Sequence, residues 1–500
     1  MQIRTLGIVM KKIGICYFRS LYSQSACSLS MGKLSDYLLN KGYQTHLYLL
    51  KNNDFNKSLS LYSKIMDNDI IIYKVNYKDF EYGIRLFENL LKNSNKKFYL
   101  TGPFALMNKE SILLKYPFID DIIDYQDNKA IDSIFIPVGK KRSKKSVICG
   151  VDREIEIKEK GHYINLESST GCIYNCAFCH IKLMHYAKSE KDIIFVVDEI
   201  EELHKKLGKN YFIFNDSVFW KNKNDNERIE KFINELKKRK LKIYFMIYLS
   251  LTVKISNELL KKLQEVGLIR VFFGVENISK NFSLVNNKYV SSLDTENFIN
   301  LLESLNISYH IGFILFSKET KYEELQDNID FLYKIKKLFR PGMIVEKMRI
   351  LPNSKDSIYL YKDETKIDQA YNYKIDDSKV ETCYNLINSF FSNINIRNFE
   401  QFFSGPRIGL TIIKNENLIN NYSELEKDFY QVLNIINDGI YDILTNIIKD
   451  LELKSEYIEK LKDLYSIAEV NYIKFMDYLK KNNKLIYETI PHGEEDLNVW

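Results

Sequence analysis

At 500 residues with 45% of them apolar, the chain is too long for one ordinary core, and two or three domains are expected. Its 72 basic and 66 acidic residues leave a net charge of +6 with the two signs interleaved, too diffuse for the electrostatic footprint of a nucleic-acid binder. No apolar run approaches the ~20 residues of a membrane span, and seven cysteines without framework spacing argue against a secreted disulfide scaffold, so a cytoplasmic protein is expected.

Residues 1–130 alternate strand-like and helix-like segments. The strands are Lys12–Phe18, His46–Leu50, Asp69–Val75, Lys97–Thr101 and Ile119–Tyr125; the helices are Lys33–Leu39, Tyr82–Leu91 and Lys109–Leu114. Asn40-Lys-Gly42 is a helix-stop signal. This rhythm predicts an α/β, Rossmann-like, doubly wound parallel sheet. Ligands of such sheets bind outside the carboxyl ends of the strands, here the loops Ser20–Met31, Asn76–Asp79 and Thr101–Asn108. His46, inside a strand, reads as a packed residue. Residues 131–161 form a polar linker whose basic run, Lys140, Lys141, Arg142, Lys144 and Lys145, reads as solvated.

From His162 the alternation restarts and runs six times, to residue 352. The strands are His162–Ser169, Tyr211–Asp216, Lys242–Ser250, Ile269–Glu276, Ile307–Phe316 and Met343–Leu351, with helices Asp192–Leu207, Glu227–Lys240, Ser256–Val266, Thr295–Leu305 and Tyr322–Lys336 between them. Near-continuous Ile, Val, Phe and Tyr runs mark strands covered on both faces. Six units predict a partial (β/α)6 barrel, in which catalytic groups gather at the carboxyl ends of strands. After Pro352 the rhythm stops, and residues 353–500 predict a helical domain: Val380–Ile394, a stretch opening on a capping box at Ser423 and Glu426, and Ser455–Lys481. Gly405-Pro-Arg407 reads as a turn carrying a surface arginine, with a contact to an anionic substrate as the alternative for Arg407.

The most specific stretch follows the first barrel strand. Cys172, Cys176 and Cys179 stand at C-x3-C-x2-C, after Gly171 opens a loop, with Phe178 before the third cysteine. A compact loop of this spacing can aim three thiolates at one iron–sulfur cubane and leave its fourth iron open. Core packing and structural zinc are the alternatives; zinc wants a fourth ligand at regular spacing, and His180, adjacent to Cys179, is poorly placed for one. Cys16, Cys27, Cys149 and Cys383 are scattered and read as structural.

The motif resembles that of the radical S-adenosylmethionine (SAM) enzymes, and the stretches Thr101-Gly-Pro-Phe-Ala105 and Lys115-Tyr-Pro-Phe-Ile-Asp-Asp121 resemble the cobalamin-binding domain of their class B. The resemblance implies a [4Fe-4S] cluster on Cys172, Cys176 and Cys179, whose open iron chelates SAM. It implies SAM contacts from Phe178, from Asp216 and Glu276 at strand ends, and from Gly312. It implies cobalamin beside Thr101, Gly102 and Pro103, although the D-x-H-x-x-G motif of other cobalamin domains is absent and Phe316 stands where the family often has glycine. The implied activity is radical methyl transfer to an unactivated carbon of a peptide or natural-product precursor, with an external electron donor and no nucleic-acid or membrane partner. A radical cyclase, crosslinking or rearrangement enzyme without methyl transfer is the alternative, and a non-catalytic iron–sulfur sensor the second.

Overall fold

The computed structural model describes residues 11–18, 27–50, 59–136, 147–148, 151–158, 163–179, 181, 188–252, 255–352, 354, 367 and 370–490. The basic run of 140–145, His162, His180, Cys149 and the first part of the Ser20–Met31 loop lie outside them. The chain divides into two compact units. One comprises Met1–Asn165, Asp198–Glu202 and Ile350–Tyr371; the other comprises Leu166–Val197, Leu203–Arg349 and Asn372–Trp500.

The first unit is built on five parallel strands: β1 (Lys12–Phe18), β2 (Gln44–Leu50), β3 (Ile70–Lys74), β4 (Lys97–Thr101) and β5 (Asp121–Ile123), in the order β2-β1-β3-β4-β5. The period of two sorts each strand onto two faces. Ile13, Ile15, Tyr17, Ile70 and Ile72 enter one core, while Cys16, Phe18, Ile71, Tyr73 and Val75 enter the other. Both faces are covered by helices α1 (Leu29–Asn40), α2 (Leu59–Met66), α3 (Phe80–Leu91), α4 (Pro103–Met107), α5 (Lys109–Lys115) and α6 (Asn128–Ile134). Helix α1 begins four residues before its expected start, so Leu29–Met31 belongs to it rather than to a loop. Thr101–Asn108 is mostly helix α4, and α2, with only Tyr62 and Ile65 buried, has too little periodicity to be read from sequence.

Part of the polar linker, residues 147–148 and 151–158, packs into this unit. Strands β6 (Val147–Ile148) and β7 (Val151–Asp152) pair antiparallel, and helix α7 (Glu154–Lys158) follows. Asp152 accepts a 2.8 Å bond from Ser35 of α1, and a Cβ on Gly32 would lie 2.7 Å from Val151. Arg153, 1% exposed, donates to Glu199 at 2.6 and 3.0 Å and to the Asn165 carbonyl at 2.9 Å. Glu156 stands 3.9 Å from the same guanidinium and accepts from the Cys27 amide at 3.1 Å.

The second unit opens on a five-stranded sheet: β8 (Ile164–Leu166, which straddles the division), β11 (Tyr211–Phe214), β12 (Tyr244–Leu249), β13 (Leu268–Glu276) and β14 (Ser308–Phe313), in the order β14-β13-β12-β11-β8. Short β9 (Ser169–Thr170) and β10 (Ser189–Glu190) pair antiparallel beside it. The crossover helices are α8 (Ile193–Leu207), α9 (Asn226–Lys238), α10 (Asn257–Glu265), α11 (Lys280–Asn286), α12 (Ser292–Ser304) and α13 (Tyr322–Lys334). Asp192, Ser256, Ser279 and Ser291 cap the starts of α8, α10, α11 and α12 with side-chain oxygens. One sheet face packs on helices, with Phe214 and Phe245 against Phe232 and Phe273 against Phe298. On the other face Tyr248, Phe272 and His310 form a row of rings with centroids 5.4 and 5.3 Å apart.

The sixth strand expected at Met343–Leu351 is reduced to two isolated bridges, Phe316 with Lys347 parallel and Ile350 with Tyr371 antiparallel, and a 2.7 Å bond from the Met348 amide to the Phe316 carbonyl. Pro341 and Gly342 start a short helix, α14 (Gly342–Val345), in its place. Helices α15 (Ser378–Phe391), α16 (Ile396–Asn415), α17 (Ser423–Asp450), α18 (Ser455–Asn482) and α19 (Lys484–Thr489) complete the unit. Ser423 is the first helical residue, not a capping one. Gly405-Pro-Arg407 is no turn; it lies inside α16, held helical across Pro406 by Phe399, Phe402, Phe403 and Leu410, all buried. No helix among the described residues is long and apolar enough to cross a membrane.

Removing one partner of a buried ion pair leaves an uncompensated charge, which costs roughly 3–5 kcal/mol. Glu199→Ala is therefore expected to lower the urea midpoint sharply, and Arg153→Met combined with Glu199→Leu to recover most of that loss.

Candidate active site at the cysteine loop

The cysteine loop is rooted by one carboxylate. Asp216, just beyond the end of β11 and 1% exposed, accepts from the Ser168 amide at 2.7 Å, from the Ser169 hydroxyl at 2.8 Å and from the Ser168 hydroxyl. The Ser168 carbonyl accepts from the Lys191 amide at 2.9 Å and from Arg228 at 3.3 Å. Gly171, at φ +69°, then turns the chain into the loop. Inside the loop the Cys179 amide donates to the Cys176 carbonyl at 3.3 Å. The tip is held by α11: the Ala177 amide donates to the Asn286 carbonyl at 3.1 Å, and the Phe178 ring lies 6.1 Å from that of Phe282. Asn286, fully buried, is itself fixed by a 2.8 Å bond to Glu319.

All three cysteines are free thiols, Cys176 buried and the other two half-buried. Burial pushes the Cys176 thiol up, Lys288 opposes this, and Cys179, Glu276 and Cys172 add to it, so the three thiols share one electrostatic neighbourhood. Among the described residues no three His, Cys, Asp or Glu side chains gather as ligands of a single ion. A cubane takes each thiolate on a different iron, and the three cysteines of this one loop are the donors it would need.

Glu276 ends β13 at φ +67°, and the ladder shifts so that Gly274 faces Gly312 while Glu276 faces Phe313. Its carboxylate folds back over both glycines: a Cβ on Gly274 would lie 1.9 Å from Oε1, and one on Gly312 3.2 Å from Oε2. The pair of glycines is thus the space the carboxylate occupies. Burial raises the Glu276 pKa, and Lys288, with Nζ 4.0 Å from Oε1, opposes the rise. The same ammonium stands 6.0 Å from the Tyr174 ring. A half-buried acid, a buried cation and Cys176 therefore share one corner of the site.

In the first unit the strand order reverses between β1 and β3, the point at which open sheets of this kind take their ligands. Lys74 ends β3 there. Its ammonium donates to Ser28 at 2.9 Å and Ser30 at 3.0 Å, at the start of α1, and burial lowers its pKa to about 8. The Thr101 hydroxyl is fully buried and donates to the Ile123 carbonyl at 2.7 Å. Gly102 turns the chain at φ +111°, and Pro103 starts α4.

Residues 166–332 match the Radical SAM superfamily. The chain carries a radical SAM domain. No curated protein matches the chain in sequence. Among solved structures, the cobalamin-dependent SAM radical enzyme OxsB with aqua-cobalamin and SAM bound is 16% identical, covering 98% of this chain and 83% of that one at a TM-score of 0.66. The radical SAM methyltransferase TsrM from Kitasatospora setae, with tryptophan and aza-SAM bound, is 13% identical, covering 65% of this chain and 71% of that one at a TM-score of 0.52. At these identities the likeness is one of fold: a Rossmann-like parallel sheet, a radical SAM core and a helical carboxyl-terminal part.

The radical SAM domain brings Cys172, Cys176, Cys179, Phe178 and Glu276 together through the loop, α11 and Lys288. It uses Asp216 otherwise than the sequence suggests. Both of its oxygens serve Ser168 and Ser169, because a buried carboxylate must be hydrogen-bonded, so it positions the loop rather than facing a cofactor. Thr101 likewise ties β4 to β5 instead of facing the ligand edge. Sequence reasoning missed Lys288 and Asn286, which no motif marks, and Lys74. The one signal for Lys74 was a lone charge at the carboxyl end of an apolar strand.

Each buried donor left without its acceptor costs about 1–3 kcal/mol. Asp216→Ala is expected to keep its far-UV circular dichroism but to retain several-fold less iron and sulfide than wild type after anaerobic reconstitution. Asp216→Asn, which keeps an acceptor for the Ser168 amide, should fall between the two.

Proposed function

We propose that this protein is a cobalamin-dependent radical SAM enzyme that transfers a methyl group to an unactivated carbon of a peptide or natural-product precursor. The observation that carries the reading is the three-thiol loop at the carboxyl end of the first strand of a radical SAM domain, in a chain that also has a doubly wound sheet with a cation at its reversal point. Cys172, Cys176 and Cys179 would hold three irons of a [4Fe-4S] cluster and leave the fourth to SAM. Glu276, seated on Gly274 and Gly312 beside Cys176, would accept hydrogen bonds from the SAM amine in place of its present neighbour Lys288. Lys74, with Ser28 and Ser30, would meet the anionic nucleotide tail of cobalamin. When bound, the cluster supplies the electron that cleaves SAM, and cobalamin carries the methyl group. The protein binds, orients and excludes water.

A second reading is ring closure or rearrangement without methyl transfer. OxsB, which aligns over 98% of the chain, is described as a radical enzyme, while the methyltransferase TsrM aligns over 65%.

Reconstituted protein given SAM and a reductant is expected to release 5′-deoxyadenosine, and Cys176→Ala to release none above background. No release from wild type would contradict the reading. Cobalamin should co-purify with wild type and be retained several-fold less by Lys74→Met. S-adenosylhomocysteine formed alongside 5′-deoxyadenosine supports methyl transfer, whereas 5′-deoxyadenosine alone supports the second reading.

A further inference from the structure

A cavity of about 520 Å³ lies at the amino end of β14, the end of the sheet opposite the cysteine loop. Its walls come from α12, the start of β14, the end of α13, α16 and α17. Tyr309, Leu410, Tyr430 and Leu433 supply apolar surface among walls that are otherwise largely polar, Arg407 stands in one of them, and exposed Lys336 is at the rim. The volume is that of a small-molecule site.

The charge around it is unbalanced. Arg407 lies 5.1 Å from the centroid of Tyr309 and 5.7 Å from that of Phe339, and no carboxylate pairs with it among the described residues. Lys337, 1% exposed, holds its ammonium 3.7 Å over the same Tyr309 ring. Behind them Arg340 meets His310 and, at 3.6 Å, Glu400, and its Nε is buried without a partner. The acidic groups in the cavity wall are otherwise engaged: Glu303 accepts from the Tyr309 hydroxyl at 3.2 Å, and Glu296 pairs with Lys334 at 2.7 Å. Cations in excess of carboxylates, Lys337 and Arg340 among them buried, are costly unless an anion joins them. Burial and the neighbouring guanidiniums press Lys337 toward its neutral form, the direction such an excess dictates.

We propose that this cavity is a second ligand site, separate from the cysteine loop, for a small molecule with a flat apolar body and a phosphate or carboxylate group. The anion would take the Arg407 guanidinium, whose planar fork suits it. The body would lie against Tyr309, Leu410 and Leu433. The site does not depend on the proposed radical chemistry, because none of its residues belongs to the cysteine loop or the strand ends beside it.

The probe is phenyl phosphate, titrated calorimetrically into the full chain at constant ionic strength, with phenol as the uncharged control. Saturable binding of phenyl phosphate without binding of phenol is expected. Arg407→Gln should weaken it about ten-fold or more, the loss expected when a charge-assisted contact is removed. Lys336→Gln, at an exposed position that does not threaten folding, should weaken it about two- to three-fold through the lost surface charge. Absence of saturable binding to wild type, or affinities unchanged in both variants, would overturn the proposal.

Discussion

The candidate site depends on one buried carboxylate. A loop carrying three cysteines has no secondary structure of its own to hold it, and its backbone must be satisfied from outside. Asp216 does this at the root, accepting one amide and two hydroxyls from Ser168 and Ser169. Because Asp216 lies just beyond the end of β11, the loop takes its position from the parallel sheet. The second grip, from Ala177 to Asn286 and from Phe178 to Phe282, pins the tip to α11. A loop held at both ends can present thiolates in a fixed arc, which a cluster bound through three irons requires.

The electrostatics of the corner follow from packing. Glu276 turns back at a positive φ because Gly274 and Gly312 leave it room, and it thereby comes within 4.0 Å of Lys288. Acid and cation moderate each other beside Cys176, so the charge brought by a cluster and by the zwitterionic end of SAM would enter a site that already holds one of each sign. The first unit is arranged differently. Its ligand edge carries a cation, Lys74, tied to two serines, at the reversal of strand order.

Much of this was legible in the sequence, and what was not has definite causes. The βα rhythm, the three cysteines and the strand end at Glu276 follow from local patterns: apolar runs, a fixed spacing, a Gly-Val-Glu stretch. Asp216 was recognised as important, but its task was not, because whether a strand-end carboxylate faces a cofactor or a neighbouring loop depends on where Ser168 lies in space. The sixth strand failed because Pro341-Gly342 starts a helix where an apolar run suggested a strand. The Gly-Pro pair at 405–406 misled in the opposite direction: buried contacts along α16 outweigh the local preference for a turn. Arg407 looked like a surface residue, since nothing in its own segment announces the Tyr309 ring it packs on.

The proposed function requires three thiolates that leave one corner of a cluster open to SAM. Electron paramagnetic resonance of the reduced, reconstituted protein tests this most directly, read with and without SAM. A [4Fe-4S] signal whose g values shift on adding SAM, and which is lost in Cys176→Ala, is the predicted result; a signal indifferent to SAM, or protein that takes up only zinc, would contradict it.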